Sequence, residues 1–249
     1  MFLIRWFHKW FGLVLGLQFL LWAVSGTAMA MLDHHKVTGG DALRAPAALT
    51  APAEPLALAR VAEAVGAPVL QLTLKPLFDR YVYEAITPDG VRLVDAVAGR
   101  RIVIDEAKAR ELAVARFSGD APVTSVERVD RVTLETRDLP LPIWRVEFAD
   151  KERSTLLVSE PTGEVLAVKN NTWRLWDIFW MIHIMDYTER QSFNHPLIVT
   201  VATGTIWLAL SGVILLFRSF RRSDFAWVID PLEDWSEKRR KRAAVEDPR

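Results

Sequence analysis

Four of the five histidines in this sequence lie where two apolar segments of the chain would reach the same side of a membrane. His34 and His35 follow the first segment, and His195 directly precedes the second. His183 lies in a short stretch rich in tryptophan and phenylalanine. Histidine is uncommon at such a boundary and is a frequent axial ligand of haem iron. We therefore predict a haem b site ligated by His183 and His195, or one in which a histidine of the adjacent pair replaces either.

Two other readings of these histidines stay open, a solvated position in the headgroup layer and a zinc or copper site. A single imidazole at a membrane edge fits the first reading, because its apolar body and polar tip both suit that layer. The second reading fits less well, since His34 and His35 are adjacent and cannot easily face one metal ion from a helix. Asp33 and Asp186 are candidates for orienting the imidazoles by hydrogen bonds.

His8 lies at the opposite end of the first apolar segment, about 39 Å of helix from His34 at 1.5 Å per residue. No other histidine of the sequence lies on that side. As a haem ligand, His8 therefore requires a second ligand from another copy of the chain or from another subunit. The alternative is an interfacial side chain that snorkels beside Arg5 and Lys9.

Two segments that must position these histidines are long and apolar enough to be transmembrane helices, which take about 20 residues. Residues 11–31 and 196–217 contain no Asp, Glu, Lys or Arg. Residues 171–188 contain charged residues as well as aromatic ones, which predicts an interfacial or re-entrant helix instead of a third span. The N-terminal segment, with Ala28-Met29-Ala30, also fits a cleavable signal peptide.

The positive charges that flank the two spans predict the topology. They lie in residues 1–10 and in residues 218–249, at Arg5, Lys9, Arg218, Arg221, Arg222 and the basic run 238–242. By the positive-inside rule, both regions are cytoplasmic and the region between the spans is extracytoplasmic. We expect a protein of the bacterial inner membrane.

The region between the spans has the pattern of two similar water-soluble units. After a proline- and alanine-rich linker at 32–53, residues 54–104 read as a helix at 54–65 followed by strands, with turn signals that include Pro76. Residues 105–170 repeat that order, with a helix that Asp105 caps. The predicted strands are 69–74, 81–86, 91–95 and 101–104 in the first unit, and 123–129, 143–148, 154–158 and 165–168 in the second.

Composition excludes several classes of function. The 31 basic and 31 acidic residues balance, and no basic stripe interleaved with aromatics occurs in the soluble region, so nucleic acid is not an expected partner. The sequence has no cysteine, which excludes disulfides, covalently attached haem and cysteine-ligated iron–sulfur clusters. It also has no nucleotide-binding or hydrolase motif, so a flavin or nicotinamide reductase would have to be another protein.

Several motifs resemble those of the PepSY-associated transmembrane family. The opening run from Arg5 to Leu13, Arg-Trp-Phe-His-Lys-Trp-Phe-Gly-Leu, resembles the start of such proteins. Each span has a Ser-Gly step, Ser25-Gly26 and Ser211-Gly212, similar to those of the family helices. The Thr-Gly-Glu-Val step of residues 162–165 resembles the PepSY domain. Family members are described as iron-regulated membrane proteins, and larger ones with four spans resemble haem-containing siderophore reductases.

Together these patterns predict an α+β membrane protein with two transmembrane helices, an interfacial helix and two extracytoplasmic PepSY-like helix-plus-antiparallel-sheet units. The expected function is haem b electron transfer to an extracytoplasmic acceptor such as a ferric chelate, as a component of a ferric-reductase-like oxidoreductase. A homodimer or other membrane redox subunits would complete the helical core. The alternative is a cofactor-free, membrane-anchored PepSY interaction protein that binds a partner or regulates a protease.

Overall fold

The two uncharged segments form the cores of two long helices in a computed structural model that describes residues 2–46, 48–219, 224 and 226–246. Helix α1 (Phe2–Met31) and helix α6 (Pro196–Ser219) are 30 and 24 residues long, enough to cross a bilayer. Helix α1 begins well before residue 11, because residues 2–10 contain neither glycine nor proline to stop it. At α6, Pro196 occupies the first helical position, where its missing N–H has no cost.

The chain divides into two units. The helical unit comprises Met1–Leu20 and Asn194–Arg249, and includes a further helix, α7 (Ala226–Glu246). The sheet unit comprises Leu21–Phe193. Arg221 and Arg222, which contribute to the topology prediction, lie outside the described residues.

The sheet unit contains two four-stranded antiparallel sheets, each a meander in which every strand pairs with the next along the chain. Helix α3 (Leu58–Val65) precedes the first sheet, and helix α4 (Glu106–Arg116) precedes the second. The first sheet has strands β1 (Gln71–Leu77), β2 (Arg80–Thr87), β3 (Gly90–Asp95) and β4 (Arg101–Ile102). The second has strands β5 (Val123–Val129), β6 (Ile143–Phe148), β7 (Thr155–Ser159) and β8 (Val165–Lys169). The predicted α+β class is thus confirmed.

The two helices of the repeat have different roles in packing. Helix α3 packs through Val61 and Val65 on one face of the first sheet, where it forms a small separate core. Helix α4 packs through Ala109, Leu112 and Ala113 into the main core, which both sheets share. That main core also contains Leu77, Val82, Leu93, Ile104, Phe117, Val146, Phe148, Leu156, Val158 and Val168. Burial of these apolar side chains holds the two sheets together.

Two boundaries differ from the prediction for identifiable reasons. Strand β1 continues through Pro76, which pairs with Tyr81, because β1 is an edge strand and Pro is tolerated there. Helix α3 begins at Leu58 instead of residue 54, because the Leu56 N–H donates to the Ala96 carbonyl at 2.7 Å and keeps the preceding chain extended.

The linker at 32–53 contains more structure than its composition suggests. Helix α2 (His34–Val37) is capped by Asp33, and a 3₁₀ turn (Gly40–Ala42) follows it. Leu43 then forms an isolated β-bridge with Phe117. The first half of the linker is therefore attached to the sheet unit.

The aromatic stretch at 171–188 forms helix α5 (Asn171–Ile184), which is shorter than predicted. It ends because Met185 adopts a left-handed conformation and Asp186 then caps a loop. Trp173, one of the aromatic residues of the predicted interfacial helix, is buried under Lys169, whose ammonium lies 3.8 Å from the ring centroid. This helix is therefore anchored to the sheet unit from its first turn.

Candidate functional site

In the sheet unit, His183 is hydrogen-bonded to Ser25 of α1. Nδ1 of the imidazole lies 3.1 Å from the serine hydroxyl oxygen. The same hydroxyl donates to the Leu21 carbonyl at 2.6 Å. Ser25 is almost fully buried, whereas His183 is half-buried. The contact joins two elements that are 158 residues apart in sequence.

This geometry favours one tautomer of His183. A hydroxyl has one hydrogen to donate, and the shorter contact of the Ser25 hydroxyl is to the Leu21 carbonyl. With that hydrogen on the carbonyl, we assign Nδ1 of a neutral His183 ring as the donor to the serine oxygen. The lone pair is consequently on Nε2, the atom through which imidazoles commonly ligate metals.

Two further residues of α1 fit this imidazole closely. Gly26 faces the ring, and a Cβ at that position would lie 3.3 Å from Cε1 of His183. The indole N–H of Trp22 donates to the His183 carbonyl at 2.7 Å. That carbonyl belongs to the last turn of α5 and has no acceptor role within the helix, so Trp22 satisfies it. One turn of α1 thus fixes both the ring and the backbone of His183.

Charged side chains of the sheet unit hold α5 in place. The carboxylate of Asp177 is 2% exposed and accepts from Arg137 and Arg190, both at 2.6 Å. Asn170 caps the helix by accepting from the Trp173 N–H at 2.6 Å. Burial, together with the charge of Arg137, lowers the pKa of Lys169. A cationic cluster with one shared carboxylate therefore anchors the helix that carries His183.

Asp186 organises the loop that follows α5. Its carboxylate accepts the backbone N–H groups of Thr188, Glu189, Gln191 and Ser192. Burial alone would raise the pKa of Asp186, but these hydrogen bonds outweigh it and hold the pKa well below its usual range. Asp186 therefore fixes the backbone conformation of the loop that follows α5.

The helical unit contains a second pair of the same kind. Nδ1 of His8, on α1, lies 2.8 Å from the hydroxyl oxygen of Ser211 on α6. The Ser211 hydroxyl also lies 2.9 Å from the Leu208 carbonyl, as the Ser25 hydroxyl lies near that of Leu21. A Cβ at Gly212 would lie 3.2 Å from Cε1 of His8. The Ser-Gly step and the imidazole are thus arranged as in the sheet unit.

Aromatic rings accompany each pair. In the helical unit, Trp207 lies 6.4 Å from Phe7 and 5.1 Å from Phe11, measured between ring centroids. In the sheet unit, Trp176 and Trp180 are stacked on α5 with centroids 5.3 Å apart. Such rings provide flat apolar surface within each unit.

The other predicted site residues have different surroundings. Nε2 of His35 is 3.1 Å from a carboxylate oxygen of Asp41, and both side chains are largely exposed. His34 is exposed in the first turn of α2. His195 accepts the Val199 N–H through its carbonyl at 3.2 Å, at the start of α6. Among the described residues, no three His, Cys, Asp or Glu side chains are grouped as ligands for one metal ion.

The residues that orient His183 and His8 are serines, which differs from the prediction of aspartates. Asp33 accepts the backbone N–H of His35 at 2.9 Å, and Asp186 accepts the backbone of its own loop. Ser25 and Ser211 are visible in the sequence as parts of Ser-Gly steps. What the sequence does not provide is the partner of each serine, since it lies on a distant element.

Two observations bear on whether these imidazoles could hold a metal. Each imidazole has Nδ1 within hydrogen-bond distance of a serine, which directs Nε2 away from that serine. Each ring also lies in a space that a glycine keeps open and a Cβ would narrow. In their respective units, His183 and His8 are therefore histidines whose orientation is set by a neighbouring side chain in this way.

Two helices long and apolar enough to cross a membrane, together with two antiparallel sheets, define an α+β transmembrane protein. Residues 5–244 match the sequence model of the family described as the PepSY-associated TM region, PepSY_TM. Since the match covers nearly the whole chain, the protein belongs to that family. Comparisons with the curated proteins and with the solved structures give no match.

Proposed function

We propose that the chain is a membrane-bound haem b electron-transfer protein, or the haem subunit of a membrane redox complex. The observation that supports this proposal is the repeated Ser–His geometry, in which His183 and His8 each direct Nδ1 to a serine and leave Nε2 available. When bound, haem supplies one-electron transfer at a potential that its axial ligands influence.

The histidines have distinct parts in this proposal. His183 is one axial ligand on the outer side, and His195 is the other. His34 or His35 is the alternative ligand in place of either. His8 takes its partner from a second copy of the chain or from another membrane redox subunit. Two copies would bring four spans together, which is a common core for a haem site between helices.

The sheet unit is extracytoplasmic in this proposal, and both termini are in the cytoplasm of a bacterium. The charges that flank the spans support that orientation. The sheet unit would then receive the electron acceptor, of which a ferric chelate is one example. The chain would serve as a component of a ferric-reductase-like oxidoreductase.

The experiment that tests the haem assignment is a reduced-minus-oxidised absorption spectrum of the detergent-purified chain. We expect a b-type band that His183→Ala and His8→Ala each reduce, because each removes one ligand. His195→Ala tests the proposed outer partner. A colourless protein from cells with ample haem would contradict the proposal.

A second function is favoured by one feature of the sheet unit. An open groove of about 720 Å³ is lined by apolar side chains such as Leu77 and Leu112. Charged side chains of both signs also line it, namely Arg44, Arg116, Asp79 and Glu164. Such a groove suits a peptide segment with an apolar side chain. If the protein is colourless, we propose a membrane-anchored interaction protein that binds its partner at this groove.

A further inference from the structure

Helix α7 has an exposed apolar stripe that no described residue covers. Trp227, Leu232 and Trp235 are 79%, 60% and 61% exposed. At 3.6 residues per turn, positions 227, 231 and 235 lie above one another, with 228 and 232 beside them. The stripe therefore runs along one side of the helix for more than two turns.

The charges of α7 are distributed unevenly around it. At about 100° per residue, three of its acidic side chains lie on the side away from the stripe. Lys238 and Arg239 instead lie on the stripe's side, and the guanidinium of Arg239 is 5.4 Å from the ring centroid of Trp235. The three acidic residues on the far side are Asp230, Glu233 and Glu237. Asp234 lies at the edge of the stripe, where it accepts from Lys238 at 2.9 Å. One side of α7 thus carries the tryptophans and basic residues, and the other carries most of the acidic side chains of residues 226–239.

We propose that α7 lies on the surface of the membrane, with its aromatic stripe among the headgroups and its basic residues in contact with anionic lipids. Tryptophan favours the interfacial layer of a bilayer. Lysine and arginine next to such a stripe favour anionic headgroups, and residues 238–242 are all basic.

The connection to α6 explains why the partner is the bilayer and not a soluble protein. Helix α6 is a membrane span that ends at Ser219, and α7 begins at Ala226. Six intervening residues reach at most about 20 Å, so α7 starts close to the bilayer that α6 crosses. The acidic side then faces water. This assignment is independent of the haem proposal, because it involves neither Ser–His pair.

The absence of cysteine from the sequence allows a direct test with the full chain. Leu232→Cys and Glu233→Cys place one environment-sensitive fluorophore either on the stripe or on the acidic side, about 100° apart around α7. Each labelled protein is reconstituted into nanodiscs of phosphatidylcholine, with or without phosphatidylglycerol. Quenching by a lipid-attached nitroxide reports contact with the bilayer, and quenching by iodide reports exposure to water.

We expect the label at position 232 to be quenched mainly by the lipid nitroxide, and the label at 233 mainly by iodide. The contrast should increase with phosphatidylglycerol and decrease at high salt. Arg239→Gln should shift the surface-bound population about five-fold towards water, whereas Glu237→Gln, a matched change on the other side, should not. Equal quenching of the two labels would overturn the proposal. A difference between the labels that stays the same with and without phosphatidylglycerol would also overturn it.

Discussion

The two Ser–His pairs share their local geometry but differ in what carries the histidine. His8 belongs to the long helix α1 and meets a serine of α6, so two apolar helices form the pair. His183 belongs to the short helix α5, which ion pairs and a capped loop attach to the sheet unit. Helix α1 supplies the histidine of one pair and the serine of the other.

The Ser-Gly step is therefore the structural feature that the two pairs share, whereas the helix that carries the histidine differs. The serine hydroxyl contacts both the imidazole and a carbonyl of its own helix, and the glycine leaves space for the ring. The His183 pair should then depend on charges in the sheet unit, while the His8 pair should depend on helix packing. Four changes to the chain test this distinction.

The largest effect is expected from Asp177→Ala. The substitution leaves the partly buried Arg137 and Arg190 without the buried carboxylate that they share. Removal of one partner from a fully buried pair costs about 3–5 kcal/mol, and we expect the lower end of that range here. Helix α5 should loosen, and the His183–Ser25 hydrogen bond should weaken while the His8 pair remains. Thermal unfolding in detergent measures the first effect, and ¹⁵N NMR of labelled histidine measures the second.

Asp130→Asn is the matched control for that change. Asp130 is an exposed acid whose nearest cationic groups, on Arg128 and Arg131, are 3.8 and 3.7 Å away. Exposed pairs contribute about 0–1 kcal/mol, so this variant should unfold close to the unaltered protein. An equally small effect of Asp177→Ala would show that the buried ion pairs do not hold α5.

A smaller effect is expected at Asp186, with a defined pH dependence. Its pKa is lowered in the folded protein, so its contribution to stability is full above the unfolded pKa of about 4 and is lost as pH falls towards the folded pKa. Asp186→Asn should cost about 1.5–3 kcal/mol at neutral pH, because backbone donors lose a charged acceptor. It should also remove part of the acid sensitivity of unfolding. An unchanged acid profile would contradict this role.

The sequence predicts the elements of this protein better than their partners. Alternating apolar residues and turn signals are local, so strands β5 and β6 have the predicted bounds. Helices α3 and α4 occupy similar positions in the repeat but pack into different cores. That difference depends on contacts with distant strands, so the local sequence pattern does not reveal it. The Ser–His contacts connect residues 158 and 203 positions apart, a separation that periodicity does not encode. Residue type alone therefore drew attention to the histidines, whereas the side chains that contact His183 and His8 are serines and not the candidate aspartates.

Removal of the serines should have a moderate and similar effect on both pairs. Ser25→Ala and Ser211→Ala each delete the acceptor for Nδ1, so the proton is free to move to Nε2. Loss of such an orienting partner typically weakens metal binding by about 10- to 100-fold. The tautomer is read from ¹⁵N NMR of labelled histidine and haem affinity from titration. Ser25→Thr, which retains a hydroxyl, should restore the original tautomer; alanine variants with unchanged tautomers would refute the orienting role.

The smallest effect is expected from added methyl groups at the two glycines. A Cβ at Gly26 or Gly212 would lie 3.3 or 3.2 Å from the facing imidazole carbon, so each ring must shift by a few tenths of an ångström. We expect Gly26→Ala and Gly212→Ala to weaken the Ser–His bonds by about 1 kcal/mol, at the lower end of overpacking costs. Gly16→Ala is the control, because a Cβ there meets nothing within 4 Å and alanine favours helix.

The His183 ring should adjust by tilting the short helix α5, whereas the His8 ring can move only against α6. If so, the ¹⁵N shift of His8 should change more than that of His183, and equal shifts would mean that both carriers are equally rigid.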